Sequence, residues 1–155
     1  MVRTKDIFRF LPLVLLAGVI IAAEQPPYDE KADAHQQITA AIVEASKAHK
    51  NIILVFGANW CGDCRALDAQ MYTEELAALI ATNYEVVKVD VGRFDKNQDI
   101  AEKYQVPLKH GIPALAVLDA GGHLLFAMDQ GQFADARHMS SESIKEFFVK
   151  WEPKR

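Results

Sequence analysis

The sequence predicts an α/β fold, a central mixed β-sheet flanked by helices on both faces. Three observations carry this. Ile52, Ile53, Leu54, Val55 and Phe56 form an apolar run without polar alternation, as a strand covered on both faces requires. Stretches with helical apolar spacing separate that run from further runs rich in β-branched residues. Near the end, Ala114–Asp119 and His123–Met128 are joined by Ala120-Gly121-Gly122, a hairpin signal.

Taken in order, the chain opens on a segment expected to lie outside the fold. Arg3, Lys5 and Arg9 make a positive start, Phe10 to Ala23 is apolar apart from Pro12 and Gly18, and Ala22-Ala23 offers small residues for cleavage. Residues 1–23 therefore read as a secretory signal peptide, too short for a comfortable membrane span. This places the protein in the periplasm or outside the cell. Residues 24–28 read as a flexible lead and residues 29–155 as one domain, enough chain for a proper core.

Asp29–His49 reads as a helix. Ala34, Ile38, Ala41, Ile42 and Ala45 fall on one stripe, and Asp29, Glu30 and Asp33 favour its start. His35 and His49 belong to its solvated side. The apolar strand follows, then Gly57-Ala58-Asn59, then Trp60-Cys61-Gly62-Asp63-Cys64 opening a second helix. A break near Met71–Thr73 is expected, with a fresh cap and a third helix over Glu74–Thr82. Leu67, Met71, Leu76, Leu79 and Ile80 should face the sheet. Tyr84–Val91 reads as a strand interrupted by Lys88, Gly92–Asn97 as a loop, and Gln98–Tyr104 as a short helix. After the hairpin, Asp129–Met139 forms a loop on the rim of the cysteines, with Phe133, Arg137 and His138 as candidates for client contact. Ser140 or Ser141 caps the last helix, whose Ile144, Phe147, Phe148 and Trp151 face the sheet.

The Cys-x-x-Cys pair carries the chemistry. At a strand-to-helix junction, two intervening residues on the first turn bring the sulfurs close enough to bridge. The free N–H groups and positive dipole end stabilise a thiolate on Cys61. Cys61, at the helix mouth, is the natural nucleophile, and Cys64, one turn inside, resolves the mixed disulfide that Cys61 forms. A structural zinc would need four ligands, and the 155-residue chain has only these two cysteines. No metal site and no organic cofactor is expected. The net charge of −4 and the absence of a basic run argue against nucleic acid as partner.

Val55 through Cys64, then Lys88-Val89-Asp90-Val91, then Gly111-Ile112-Pro113-Ala114 make the chain resemble the thioredoxin superfamily, in motif order and from about Asn51 to Trp151. The resemblance implies a thioredoxin-like fold and thiol–disulfide oxidoreductase activity on client proteins with disulfides or thiols, as a reductase or isomerase in preference to an oxidant. A membrane thiol carrier would supply electrons, and a monomer is the default. It also implies a cis bond between Ile112 and Pro113, opposite the cysteines, where extended client chain can pair. Trp60 would cover the disulfide and Gly62 would ease the turn. Lys88 would lie beneath the site, close enough to lower a thiol pKa, or else be an exposed strand lysine. His110 could bond substrate or tune Cys61, or be an exposed loop histidine.

Two departures stand out. Asp63 replaces the usual proline, favouring the helix start but repelling a thiolate. Val55 stands where the superfamily has a buried aspartate, and it cannot take a proton from Cys64. Two other functions stay open: Cu(I) held by Cys61, Cys64 and His110, or a noncatalytic module binding peptide beside Pro113.

Overall fold

The structure, a computed structural model, describes residues 25–154, so the expected signal segment lies outside the described residues. Four strands form one sheet in the order β2-β1-β3-β4: β1 Asn51–Gly57, β2 Tyr84–Asp90, β3 Ala114–Leu118 and β4 Leu124–Ala127. The strand β1 pairs parallel with β2 and antiparallel with β3, and β4 closes the hairpin with a bulge at Val117/Leu118. The sheet is therefore mixed. Every residue of β1 is buried, as its unbroken apolar run requires.

Among the described residues five α-helices cover both faces: α1 Ala34–Ala48, α2 Gly62–Met71, α3 Glu74–Asn83, α4 Gln98–Lys103 and α5 Ser141–Lys150. Alternation along the strands divides the core in two. Ile52, Leu54 and Phe56 meet Ala34, Ile38 and Ala45 of α1 and Ile100 of α4 on one face. Ile53 and Val55 meet Leu67 and Met71 of α2, Leu76 and Ile80 of α3, and Ile144 and Phe148 of α5 on the other. Each of the isoleucine, leucine, valine, methionine and phenylalanine side chains contributes up to about 1.5–3 kcal/mol of hydrophobic stabilisation, the alanines less. Among the described residues no helix is long and apolar enough to cross a membrane.

The local signals act largely as expected. Chain direction changes at Tyr72–Thr73, where Thr73 turns extended and acids open α3. The Ser140 hydroxyl accepts from the Ser143 N–H and starts α5. Three expectations need correction. The first helix begins at Ala34, not Asp29, because the Asp33 carboxylate caps it through the Gln36 N–H. Asp29 instead closes a separate turn, accepting from the N–H groups of Lys31 and Ala32. Phe133 is no client contact; it is 2% exposed and packs edge-on against Phe147 at 5.2 Å between centroids. Third, Tyr28 does not belong to a flexible lead. Its ring lies in the α1-side core, 1% exposed.

Candidate active site

The end of β1 and the start of α2 set the two cysteines. Cys61 has extended backbone and is itself the N-cap of α2, so its sulfur takes the place a capping oxygen usually fills and accepts from the Cys64 N–H at 3.0 Å. The cysteines are joined by a disulfide, with Cα atoms 5.2 Å apart. Cys61 Sγ lies 3.6 Å from the carbonyl oxygen of Ile112. The Ile112–Pro113 peptide bond is cis, as the resemblance implied. Cys61 is 6% exposed and Cys64 1%. Chemically, a helix N-terminus facing one sulfur favours its thiolate, and a carbonyl beside it offers main-chain contact to an extended segment.

The neighbouring residues sort differently from their expected places. Trp60 is half exposed, donates from Nε1 to the Gly92 carbonyl at 2.8 Å, and packs edge-on against Phe94 with Arg93 over its ring. Asp63 is not left facing a thiolate alone. The backbone N–H and the Nε of Arg137 donate to its Oδ1 at 3.0 and 3.1 Å. Desolvation, the largest single influence, pushes the Asp63 carboxyl up. The hydrogen bonds and charge of Arg137 together outweigh it and hold the pKa below the ordinary value. Gly62 lies under the Arg137 side chain, where a Cβ would make ordinary contact with the guanidinium at 3.4 Å.

Lys88 is neither exposed nor free. Its ammonium donates to Asp68 Oδ1 at 2.6 Å and touches Met71 Sδ at 3.6 Å, with both charged side chains 17% exposed. Burial lowers its pKa, and Asp68 offsets only part of that. His110 also has another partner: its Nδ1 hydrogen-bonds the Asp129 carbonyl. The loop beneath it needs Gly131, with φ 65°, because a Cβ there would come 2.3 Å from the His110 carbonyl oxygen. His110 and Arg137 thus fasten the 129–139 loop to the site from two ends. Among the described residues no three His, Cys, Asp or Glu side chains gather as a metal site, so His110 does not join the cysteines.

The sequence reading missed Tyr28 and Asn59. Asn59 accepts from the Tyr28 N–H at 3.0 Å and donates to the Tyr28 carbonyl at 2.9 Å, pinning residue 28 across the start of the active-site loop. The Tyr28 hydroxyl is buried with no hydrogen-bond partner. It fills the space a side chain at Gly57 would need: a Cβ there would lie 2.1 Å from Tyr28 Oη and 2.9 Å from Cys64 Sγ. A glycine ending an otherwise large apolar strand was the available signal of a close approach.

Comparison with known proteins agrees with this geometry. The family model described as thioredoxin-like matches residues 33–120. The crystal structure of a disulphide isomerase from Xylella fastidiosa Temecula1 is 45% identical, covers 83% of this chain and 98% of its own, and superposes with a TM-score of 0.79. A thioredoxin from Echinococcus granulosus is 36% identical over 96 residues, 59% of this chain and 79% of that one. A protein disulfide-isomerase from Arthroderma benhamiae is 32% identical over 108 residues, 68% of this chain but 19% of that one.

Proposed function

The chain belongs to the thioredoxin-like family, and from that premise we propose that it works on protein disulfides as a reductase or isomerase. It is a thiol–disulfide oxidoreductase, and the observation that carries this is the Cys61 sulfur held at the N-terminus of α2, with the Ile112 carbonyl beside it. In the reduced form the Cys61 thiolate attacks a client disulfide, releasing one client thiolate and leaving a mixed disulfide. Cys64 then attacks Cys61 Sγ, the Cys61–Cys64 bond forms, and the second client sulfur leaves and takes up a proton. An isomerase uses the same first step and lets the client re-pair. Main chain at Ile112 lines up an extended client segment, and Trp60 with Phe94 offers it an apolar edge.

The direction rests on the similarity to a disulphide isomerase; the pairing of Asp63 with Arg137 leaves the helix dipole to act on Cys61 and so bears on its reactivity as nucleophile. The proposal includes export, a membrane thiol carrier as electron source, and a monomer in solution. The basic start and apolar segment of residues 1–23 support export.

Equilibrium titration of the cysteine pair in glutathione or dithiothreitol buffers tests the direction. A potential near thioredoxin's, roughly −270 mV, supports a reductase, and one near protein disulfide isomerase's, roughly −180 mV, an isomerase. A value near roughly −120 mV makes the protein a disulfide donor and overturns the proposed direction. Absence of any reversible two-electron titration overturns the oxidoreductase itself.

A further inference from the structure

Opening the disulfide creates a problem that the pair itself does not solve. Cys64 is 1% exposed, and its sulfur must carry negative charge to attack Cys61. Its own N–H is taken by Cys61 Sγ. Val55, where the superfamily carries an aspartate, offers only methyl groups. The Lys88 ammonium is committed to Asp68 and Met71. A buried thiolate with no donor is costly, so a partner is needed.

Tyr28 lies where such a donor is needed. Its hydroxyl and Cys64 Sγ lie 2.1 and 2.9 Å from one common point, the Cβ position at Gly57, which bounds their separation by the sum of those distances. That hydroxyl is fully buried and unpartnered in the disulfide form. An unsatisfied buried hydroxyl is a standing cost that phenylalanine would avoid while filling the same space. The glycine at 57 gives it room, and Asn59 fixes the backbone that carries it. We propose that the Tyr28 hydroxyl donates a hydrogen bond to Cys64 Sγ once the Cys61–Cys64 bond is broken, stabilising the thiolate for the resolving step.

The hydroxyl keeps its own proton throughout. Burial, and after it the nearby charges of Asp68 and Asp90, raise the Tyr28 pKa far above the ordinary tyrosine value. Tyr28 is a donor here, not a base. In the step itself Cys64 attacks Cys61 Sγ, the client sulfur departs, and the proton lost by Cys64 ends on the client thiol. Two electrons pass from the cysteine pair to the client.

The inference rests on the oxidoreductase reading, and its test keeps the two apart. Reduced wild type and Tyr28→Phe are mixed with oxidised glutathione, quenched with acid at intervals, and followed by mass spectrometry. Wild type should pass through a Cys61–glutathione adduct to the internal disulfide; failure of wild type to do so refutes the oxidoreductase reading. Tyr28→Phe should form the adduct within about twofold of the wild-type rate and resolve it about tenfold more slowly, the loss expected for a hydrogen bond to a charged group. A resolving rate within about twofold of wild type overturns the proposal. A structural role is read separately. The oxidised Tyr28→Phe protein should unfold at the same denaturant concentration or a higher one, because the unsatisfied hydroxyl is gone. In wild type, the Tyr28 hydroxyl proton should shift downfield and exchange more slowly on reduction. An unchanged signal would also overturn the proposal.

Discussion

Gly57→Ala is the most direct probe of how this site is packed. The backbone at Gly57 is not in the left-handed region, so alanine meets no torsional objection and its cost is steric alone. The added methyl would stand 2.1 Å from Tyr28 Oη, 2.5 Å from Tyr28 Cζ and 2.9 Å from Cys64 Sγ. Relief needs a shift of an ångström or more in a ring whose backbone Asn59 holds on both sides. Squeezing the ring in place costs about 1–3 kcal/mol. Expelling it forfeits about 150–200 Å² of burial, or about 4–5 kcal/mol. The squeezed state wins, near the top of its range, so a loss of about 3 kcal/mol is expected. Tyr28→Ala alone should cost about 3–5 kcal/mol as a large-to-small change. In that background the clash with the ring is gone and only the contact with Cys64 Sγ at 2.9 Å remains, so the extra methyl should cost about 1 kcal/mol, well below its cost in the wild type. Urea unfolding of the oxidised wild type, both single variants and the double variant closes the cycle. Additivity within about 0.5 kcal/mol would refute the contact between Gly57 and Tyr28.

Three further outcomes follow from other parts of the site. Arg137→Ala should unmask the Asp63 charge beside Cys61 and free one end of the 129–139 loop. Alkylation of the reduced protein across pH should show a raised Cys61 thiol pKa, and an unchanged profile would count against the neutralising role of Arg137. Lys88→Met should destabilise by about 1–3 kcal/mol by leaving the Asp68 carboxylate half-buried and unpaired. Adding Asp68→Leu should recover most of that, since burial already outweighs the attraction at Lys88; chemical denaturation of the three variants decides it. Alkaline stability gives the third. Burial raises the pKa of both Tyr28 and Tyr84 above the unfolded value of 10.0. Above pH 10.0 the unfolded chain therefore releases protons that the folded one keeps. Their contribution is whole below that pH and falls above it by up to about 1.4 kcal/mol per pH unit for each ring. Tyr28→Phe should flatten the decline by one ring's share. Equal slopes for the two proteins would show that Tyr28 ionises freely in the fold.

Much of this arrangement was legible before any coordinates. The β1 run, the N-terminal cysteine of α2, the break at Thr73 and the amphipathic stripe of α5 are written in residues within a few positions of one another. Local spacing sets their structure, so local spacing reveals it. What was illegible depends on partners far apart in the chain. Asp63 and Arg137 are 74 residues apart, and nothing near either names the other. Gln25-Pro26-Pro27 looks like a loose leader, yet the next residue is locked by Asn59, 31 positions on. Composition misled there because one aromatic ring in a core outweighs several polar neighbours. Phe133 deceived in the same way, being an aromatic in a loop that turns inward onto α5 rather than outward.

The tethers at residues 28 and 137 have a practical bearing on where this domain should be cut. The stretch that matches the family spans 33–120. It contains both cysteines, the cis proline and the whole of β1, β2 and β3, and so looks self-sufficient. Yet a fragment trimmed to those borders would lose the ring above Gly57 and the guanidinium paired with Asp63. It would also lose α5, whose apolar stripe closes the second core. Such a fragment would keep the signature of the chemistry while exposing Cys64 to water and leaving Asp63 unopposed. Its potential and its reactivity would then describe the trimming rather than the protein. Expression boundaries, chimaeras and grafted active-site loops drawn for this chain should run from Gln25 or earlier through Trp151.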